Sequence, residues 1–198
     1  TKQERQIAKT VSFLIVYGGG PFNLAETMGI SMRRSEQIIN NYKNVYPGIF
    51  EYMEFVNEFI KNNGYAYTIF GRKRNLPDVR SRDRSVVNRA LRQGLNFTIQ
   101  STASDILLCS LLGASRRFKE AGLEARPVAT VHDSIEIVSP QEEVEKVLTI
   151  LYDEMVNYPM IKDIFNIHFD VPLAIDAEVG KSFGDGEEVH FNNGIPIL

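Results

Sequence analysis

The sequence predicts an α+β protein, helices first and a small antiparallel sheet behind, on three observations. Apolar residues recur at helical spacing through the first 64 positions, β-rich runs occur only from residue 65 on, and Gly, Pro, Asn and Ser punctuate the segments between. The first helix runs through RQIAKTVSFLIVYG and stops at Gly18-Gly19-Gly20-Pro21. Arg5, Lys9, Phe13 and Tyr17 recur every fourth residue and share one broad face, since each step turns only about 40° around an α-helix. Ile7, Val11, Leu14 and Ile15 fall on the other side and are predicted to bury. A short helix over 22–28 ends at Gly29, and Ser31 caps a helix to about Val45. Pro47 opens another, with Tyr52, Phe55, Val56 and Phe59 at helical spacing, ending near Asn63-Gly64. Residues 65–70 read as a strand and 71–85 as a basic, turn-rich loop. A helical pair covers 86–120, broken near Gln100. Residues 126–139 form a hairpin around Asp133-Ser134, with Val128, Val131, Ile135 and Ile137 apolar enough for a buried platform. An amphipathic helix follows over 142–157, then a last strand over 171–180 and a loosely packed tail after 183.

Composition narrows the class. A chain of 198 residues with 43% hydrophobic content can bury a real core. No apolar run approaches 18 residues, so no transmembrane helix is expected, and no signal-peptide pattern opens the chain. Residues 1–4 show neither an initiator Met nor a capping lead-in. The single cysteine, Cys109, excludes an intramolecular disulfide, fits a reducing cytoplasm, and sits in an apolar run where burial is expected. The net charge of −3 conceals an asymmetry: residues 1–100 carry 15 Lys+Arg against 8 Asp+Glu, residues 101–198 carry 7 against 17. A basic half and an acidic half can serve a polyanion site and a metal site, or two differently solvated faces.

Three groups of residues can carry chemistry. Arg5 and Lys9 alone could be a solvated helix face. Phe13 and Tyr17 on the same face change that reading, because two cations followed by two aromatics suit a nucleoside triphosphate: phosphate oxygens on the cations, base or sugar against the rings. Asp133 beside His132 at a tight hairpin is either a turn residue or a rigidly held carboxylate, as Mg²⁺ requires of its one or two protein ligands. Between Arg72 and Arg92 lie Arg72, Lys73, Arg74, Arg80, Arg82, Arg84, Arg89 and Arg92 against Asp78 and Asp83. That stretch is a solvated loop or a track for a phosphate backbone. Arg92, Asn96 and Gln100 follow at four-residue spacing, and such side chains can read minor-groove acceptors. The three histidines are scattered without nearby cysteines, which argues against zinc. Gly18-Gly19-Gly20 lacks the Lys-Ser/Thr of a phosphate-binding loop, and no membrane-binding stripe is present.

With these residues the chain resembles the carboxy-terminal part of family A DNA polymerases, the bacterial DNA polymerase I type also encoded by phages. Arg5…Lys9…Phe13…Tyr17-Gly18 resembles the fingers helix of motif B, and Val131-His132-Asp133 resembles the palm hairpin of motif C. Between them, Thr68-Ile69-Phe70-Gly71-Arg72-Lys73-Arg74 with Leu76-Pro77-Asp78, and Asn96-Phe97-Thr98-Ile99-Gln100 with Thr102-Ala103-Ser104-Asp105-Ile106, match in order and approximate spacing. Glu178-Val179-Gly180 with Phe183-Gly184 resembles the closing segment, with Phe where an aromatic, usually Trp, stands.

The resemblance implies a right-hand polymerase fold, with helical fingers over 1–64 and a palm over 65–198 that holds the basic loop and the hairpin. Arg5 and Lys9 would bind the triphosphate of a dNTP, with Lys9 also stabilising its developing charge. Phe13 and Tyr17 would form the nucleotide pocket. Arg72, Arg92, Asn96 and Gln100 would contact primer–template DNA, His132 would lie against the primer terminus, and Asp133 would ligate Mg²⁺ in a two-metal site. The family's first palm carboxylate lies in motif A, upstream of motif B, so the resemblance implies an incomplete polymerase, inactive alone. The missing carboxylate would come from the same longer chain or from a partner subunit. Ser134 stands where most members have Glu. Family distribution implies a bacterial or phage source and a cytoplasmic site of action. Single-subunit phage-type RNA polymerases share the R…K…YG helix and a His-Asp-Ser turn, and a non-catalytic DNA-binding remnant is a further alternative. Ser12-Phe13, Ile135-Glu136-Ile137 and the Gln100 and Glu178 segments favour the DNA polymerase.

Overall fold

A computed structural model describes residues 2–198, with side chains from Arg5 onward; the lead-in at residues 1–4 therefore lies largely outside the described side chains. The chain packs as two compact units, residues 1–102 and 103–198.

In the first unit α1 (Lys2–Val16), α2 (Pro21–Met28), α3 (Met32–Val45) and α4 (Pro47–Asn63) end and begin where the sequence places them. Ser31 Oγ accepts a hydrogen bond from the Arg34 amide at 3.3 Å, and Gly29 and Gly64 close their helices at φ 63° and 78°. Val11, Ile15 and Leu24 form a small core with half-buried Leu14 and Met28. Ile7 departs from expectation: it is 43% exposed. It lies one turn before Val11, beyond the reach of the residues that cover Val11 and Ile15 within this unit. A short hairpin, β1 (Tyr65–Tyr67) with β2 (Lys73–Asn75), replaces the six-residue strand and takes up part of the basic loop. It is followed by a 3₁₀ turn over Pro77–Arg80 and by α5 (Arg84–Asn96), capped by Asp83, whose carboxylate accepts from the Ser85 amide at 2.7 Å. Val56, Ile60, Ala66, Leu76, Leu91, Leu95 and Phe97 build the core beneath. Gly94 allows this: a Cβ there would lie 2.4 Å from Ile60 Cδ1 and 2.6 Å from Leu76 Cδ1, closer than packed atoms can approach.

The expected break near Gln100 is a π turn, Phe97–Ser101, inside an unbroken helical run from Arg84 to Glu120. That run contains a window long and apolar enough to meet the bare requirement for a membrane span, contrary to the sequence expectation. Its apolar side chains have another use: Leu91, Leu95 and Phe97 line the core of the first unit, Ala114 and Phe118 that of the second.

The second unit contains α6 (Thr102–Glu120), β3 (Arg126–Val131), β4 (Ser134–Val138), α7 (Val144–Tyr152), α8 (Pro159–Phe165) and the meander β5 (Ala177–Gly180), β6 (Gly186–Asn192), β7 (Ile195–Ile197). The tail is therefore ordered sheet, not a loose terminus, and only 177–180 of the expected last strand is extended. The β3–β4 hairpin turns at His132-Asp133, one residue earlier than its β pattern suggests. Its platform is only half buried. Ile137 packs on the Ala114, Phe118, Ala125 and Val147 core, whereas Val128 and Val131 are 56% and 41% exposed. A register shift between Pro127 and Ala129 leaves Val128 unpaired and breaks the alternation that would have buried it. Cys109 is half-buried, and burial, with Asp105 adding to it, raises its thiol pKa.

One polar cluster ties this core together. Arg117 Nη1 donates to Asp153 Oδ2 and, at 3.1 Å, to Glu154 Oε1, and Glu154 is 1% exposed. A Cβ on Gly113 would fall 2.1 Å from Glu154 Oε2, so only glycine leaves room for the carboxylate. Burial works to raise the Asp153 pKa, but hydrogen bonds from Asn157 and Arg117 outweigh it and hold the carboxyl below its ordinary value. A depressed carboxyl stabilises the fold above its unfolded pKa, and that contribution is lost as pH falls through the folded value. Arg117→Met should therefore cost about 3 kcal/mol near pH 7, where Glu154 is left buried without its counterion. The part carried by Asp153 should shrink below about pH 4 as that carboxyl protonates. Urea unfolding followed by circular dichroism at pH 7 and pH 3.5 measures both, and a loss that is small or independent of pH would contradict the assignment.

Candidate functional site

The face of α1 is set by its helical repeat. Arg5, Lys9 and Phe13 are exposed and Tyr17 half-buried. The Phe13 and Tyr17 rings stack with centroids 5.9 Å apart and planes 8° from parallel, and Lys9 Nζ lies 5.7 Å from the Phe13 centroid. Cation and rings thus form one continuous strip, with the Arg5 charge one turn further along. Such a strip offers donors for phosphate oxygens at one end and a flat apolar surface at the other.

At the end of the strip the chain turns through Gly18 at φ 78°, in the left-handed region that favours glycine. A Cβ on Gly18 would lie 3.1 Å from Arg92 Cγ. The aromatic end of α1 therefore abuts α5 at Arg92, the first of the three residues expected to read DNA. Arg92 and Gln100 are exposed, while Asn96 is half-buried. The Asn96 amide oxygen is buried without a hydrogen-bond partner, an atom whose desolvation is uncompensated unless something binds it. In the first unit the structure thus joins Gly18 and Arg92, residues distant in sequence.

All eight cations between Arg72 and Arg92 are exposed. Their two acidic neighbours do little to neutralise them: Arg89 reaches Asp78 only at 3.8 Å, and Asp83 is occupied at the α5 cap. Arg72 is engaged although exposed. Its Nη2 donates to the Ser101 carbonyl at 3.1 Å and its guanidinium lies 5.4 Å from the Phe97 ring centroid. Tyr52, Phe97 and Thr98, to which the sequence reading gave no site role, lie here, with Tyr52 Oη donating to Thr98 Oγ1 at 2.9 Å. No periodicity in the sequence signals that contact.

In the second unit His132 and Asp133 form the exposed two-residue turn between Val131 and Ser134, which pair. His132 takes φ 57°, a conformation that a two-residue hairpin demands and that costs a non-glycine residue energy. Ser134 Oγ lies 3.0 Å from the Val131 carbonyl and 2.7 Å from Glu136 Oε1, so the serine braces the turn. Asp133 fits one carboxylate ligand of a divalent ion. Among the described residues no group of three His, Cys, Asp or Glu side chains could hold a metal ion.

Comparison with known proteins gives these features a family. The sequence pattern of DNA polymerase family A matches residues 1–185. DNA polymerase I of Chloroflexus aurantiacus is 34% identical over 186 residues, covering 93% of this chain and 19% of that protein. The DNA polymerase of Bacillus phage SP01 is 33% identical over 193 residues, covering 95% and 21%. The POL domain of Pol1 from M. smegmatis, solved in complex with DNA primer-template and dNTP, superposes with a TM-score of 0.81 at 28% identity, over 88% of this chain and 29% of that one. The α+β fingers-and-palm fold is thereby borne out, and a match over nearly the whole length sets aside the RNA polymerase alternative. The chain spans about a fifth of the length of these polymerase relatives, and it belongs to DNA polymerase family A.

Proposed function

We propose that the chain carries the nucleotide-binding and primer-facing part of a template-directed DNA polymerase, transferring a nucleotide from a dNTP to a primer 3′-hydroxyl. The observation that carries this reading is the strip of Arg5, Lys9, Phe13 and Tyr17 running through Gly18 onto Arg92. Arg5 and Lys9 hold the triphosphate, and Lys9 also opposes the charge that builds on the phosphate oxygens during transfer. Phe13 and Tyr17 pack the incoming base and provide the stacking surface that the template base vacates. Arg92, Asn96 and Gln100 contact the minor groove and the strands near the insertion site, and Arg72 belongs to the same edge. The exposed cations from Lys73 to Arg92 track the phosphate backbone, which predicts salt-sensitive binding.

His132 lies against the primer terminus and Asp133 holds one Mg²⁺. That ion, when bound, supplies activation of a hydroxyl or neutralisation of phosphate charge. A two-ion scheme needs a further carboxylate, which we assign to the polymerase portion occupying the remaining four-fifths of the relatives' length. The active species is this chain joined to, or assembled with, that portion.

Primer extension by the assembled polymerase tests the reading. Asp133→Asn should lower Mg²⁺-dependent incorporation by about 10²–10³-fold or more while leaving DNA binding largely intact. Full activity in Asp133→Asn would contradict the metal assignment, whereas salt-sensitive DNA binding without synthesis in the unmodified assembly would indicate a binding remnant.

His132→Gly separates function from strain. Removing a side chain from φ 57° should leave unfolding stability unchanged or raise it by about 1 kcal/mol, yet reduce extension from the primer terminus. Unaltered extension by a folded His132→Gly protein would exclude the primer-terminus role.

A further inference from the structure

The spacing of Arg92, Asn96 and Gln100 suggests one face of a regular helix, but a π turn intervenes. Phe97–Ser101 begins directly after Asn96 and contains Gln100. A π turn holds more residues than an α turn, so Gln100 departs from the face that Arg92 and Asn96 share and projects in its own direction. Such turns cost hydrogen-bond geometry and persist where the surroundings hold them.

Here the surroundings do hold it. Arg72 grips both ends: its guanidinium stacks over the ring of Phe97, the first residue, at 5.4 Å, and Nη2 donates to the carbonyl of Ser101, the last, at 3.1 Å. Arg74 lies over the same ring at 6.0 Å. Tyr52 Oη donates to Thr98 Oγ1 at 2.9 Å, and Thr98 Oγ1 donates to the Leu95 carbonyl at 2.8 Å. Thr102 Oγ1 donates to the Thr98 carbonyl at 2.6 Å. Side chains therefore supply donors to three main-chain carbonyls in and beside the turn. Phe97 is 8% exposed, so its ring is a fixed anchor for the two guanidinium groups.

We propose that Arg72, assisted by Tyr52, is a positioning residue: it fixes the π turn that aims Gln100 at the nascent base pair and acts on DNA through Gln100. The inference rests on the polymerase reading and deepens it. A planar, multiply donating cation is needed to stack on a ring and reach a carbonyl at once, which lysine cannot match. A phosphate-contacting arginine would behave differently, since its loss lowers the salt dependence of DNA binding by about one counterion.

Single-turnover incorporation by the assembled polymerase, with binding to primer–template measured across salt, tests this. Arg72→Ala should reduce incorporation by about ten- to a hundredfold, as displaced positioning groups do. Arg72→Lys should recover only part of that, Tyr52→Phe should show a smaller loss, and the salt slope should not move. In a Gln100→Ala background the Arg72→Ala loss should disappear. Additive losses, complete rescue by Arg72→Lys, or a salt slope smaller by about one would overturn the proposal. Hydrogen exchange of the 97–102 amides should quicken in Arg72→Ala and Tyr52→Phe, and unchanged protection would refute the clamp even in an active polymerase. No synthesis by the unmodified assembly would overturn the parent reading, and the positioning role with it, leaving exchange to decide the turn alone.

Discussion

Gly18 carries the arrangement of the first unit. At φ 78° it ends α1 in a conformation that most residues avoid, and its missing side chain lets the chain lie against the aliphatic part of Arg92. Without that approach α1, with its Arg5 and Lys9 and its stacked rings, would lose this contact with α5. A contact of this kind is worth little as buried area. Its value lies in geometry, because two ligand-binding faces whose separation is fixed can recognise two parts of one substrate complex without paying ordering entropy at each encounter.

Electrostatics follows the same division. The first hundred residues hold most of the cations and the rest hold most of the acids. The exposed run from Arg72 to Arg92 is suited to a polyanion, and its two acidic neighbours leave nearly all of that charge available. In the second unit a buried charge cluster serves the fold: Arg117 joins Asp153 and Glu154 beneath α6, in space that Gly113 leaves open. Asp133 stands apart, exposed at a turn whose own backbone is strained at His132.

Much of this was legible in the residues. Helix ends were written by Gly18, Gly29, Ser31, Pro47 and Gly64, each with a local steric or hydrogen-bonding reason, and the face of α1 followed from a four-residue repeat. A hairpin within 126–139 was readable for the same reason, with its turn one residue from where the β pattern placed it. What was not legible depends on partners distant in sequence. Ile7 has the right period to bury and stays 43% exposed. Val128 is apolar but occupies a bulge. The tail after 183 looked like loose chain because its Gly and Asn residues also make the turns of a meander. The π turn at Phe97–Ser101 left no trace in periodicity, and the side chains bonded to it, Arg72 and Tyr52, lie dozens of positions earlier. The family resemblance reached the fold and the roles together, and the match over residues 1–185 bears out the family while leaving each residue's role to experiment.

The most direct test is a crystal structure of the assembled polymerase with primer–template DNA, Mg²⁺ and a non-hydrolysable dNTP. The account predicts phosphate oxygens within hydrogen-bond distance of Arg5 and Lys9, the base against the Phe13–Tyr17 pair, and Gly18 still seated on Arg92. A triphosphate bound away from this strip, with Arg5 and Lys9 facing solvent, would contradict it.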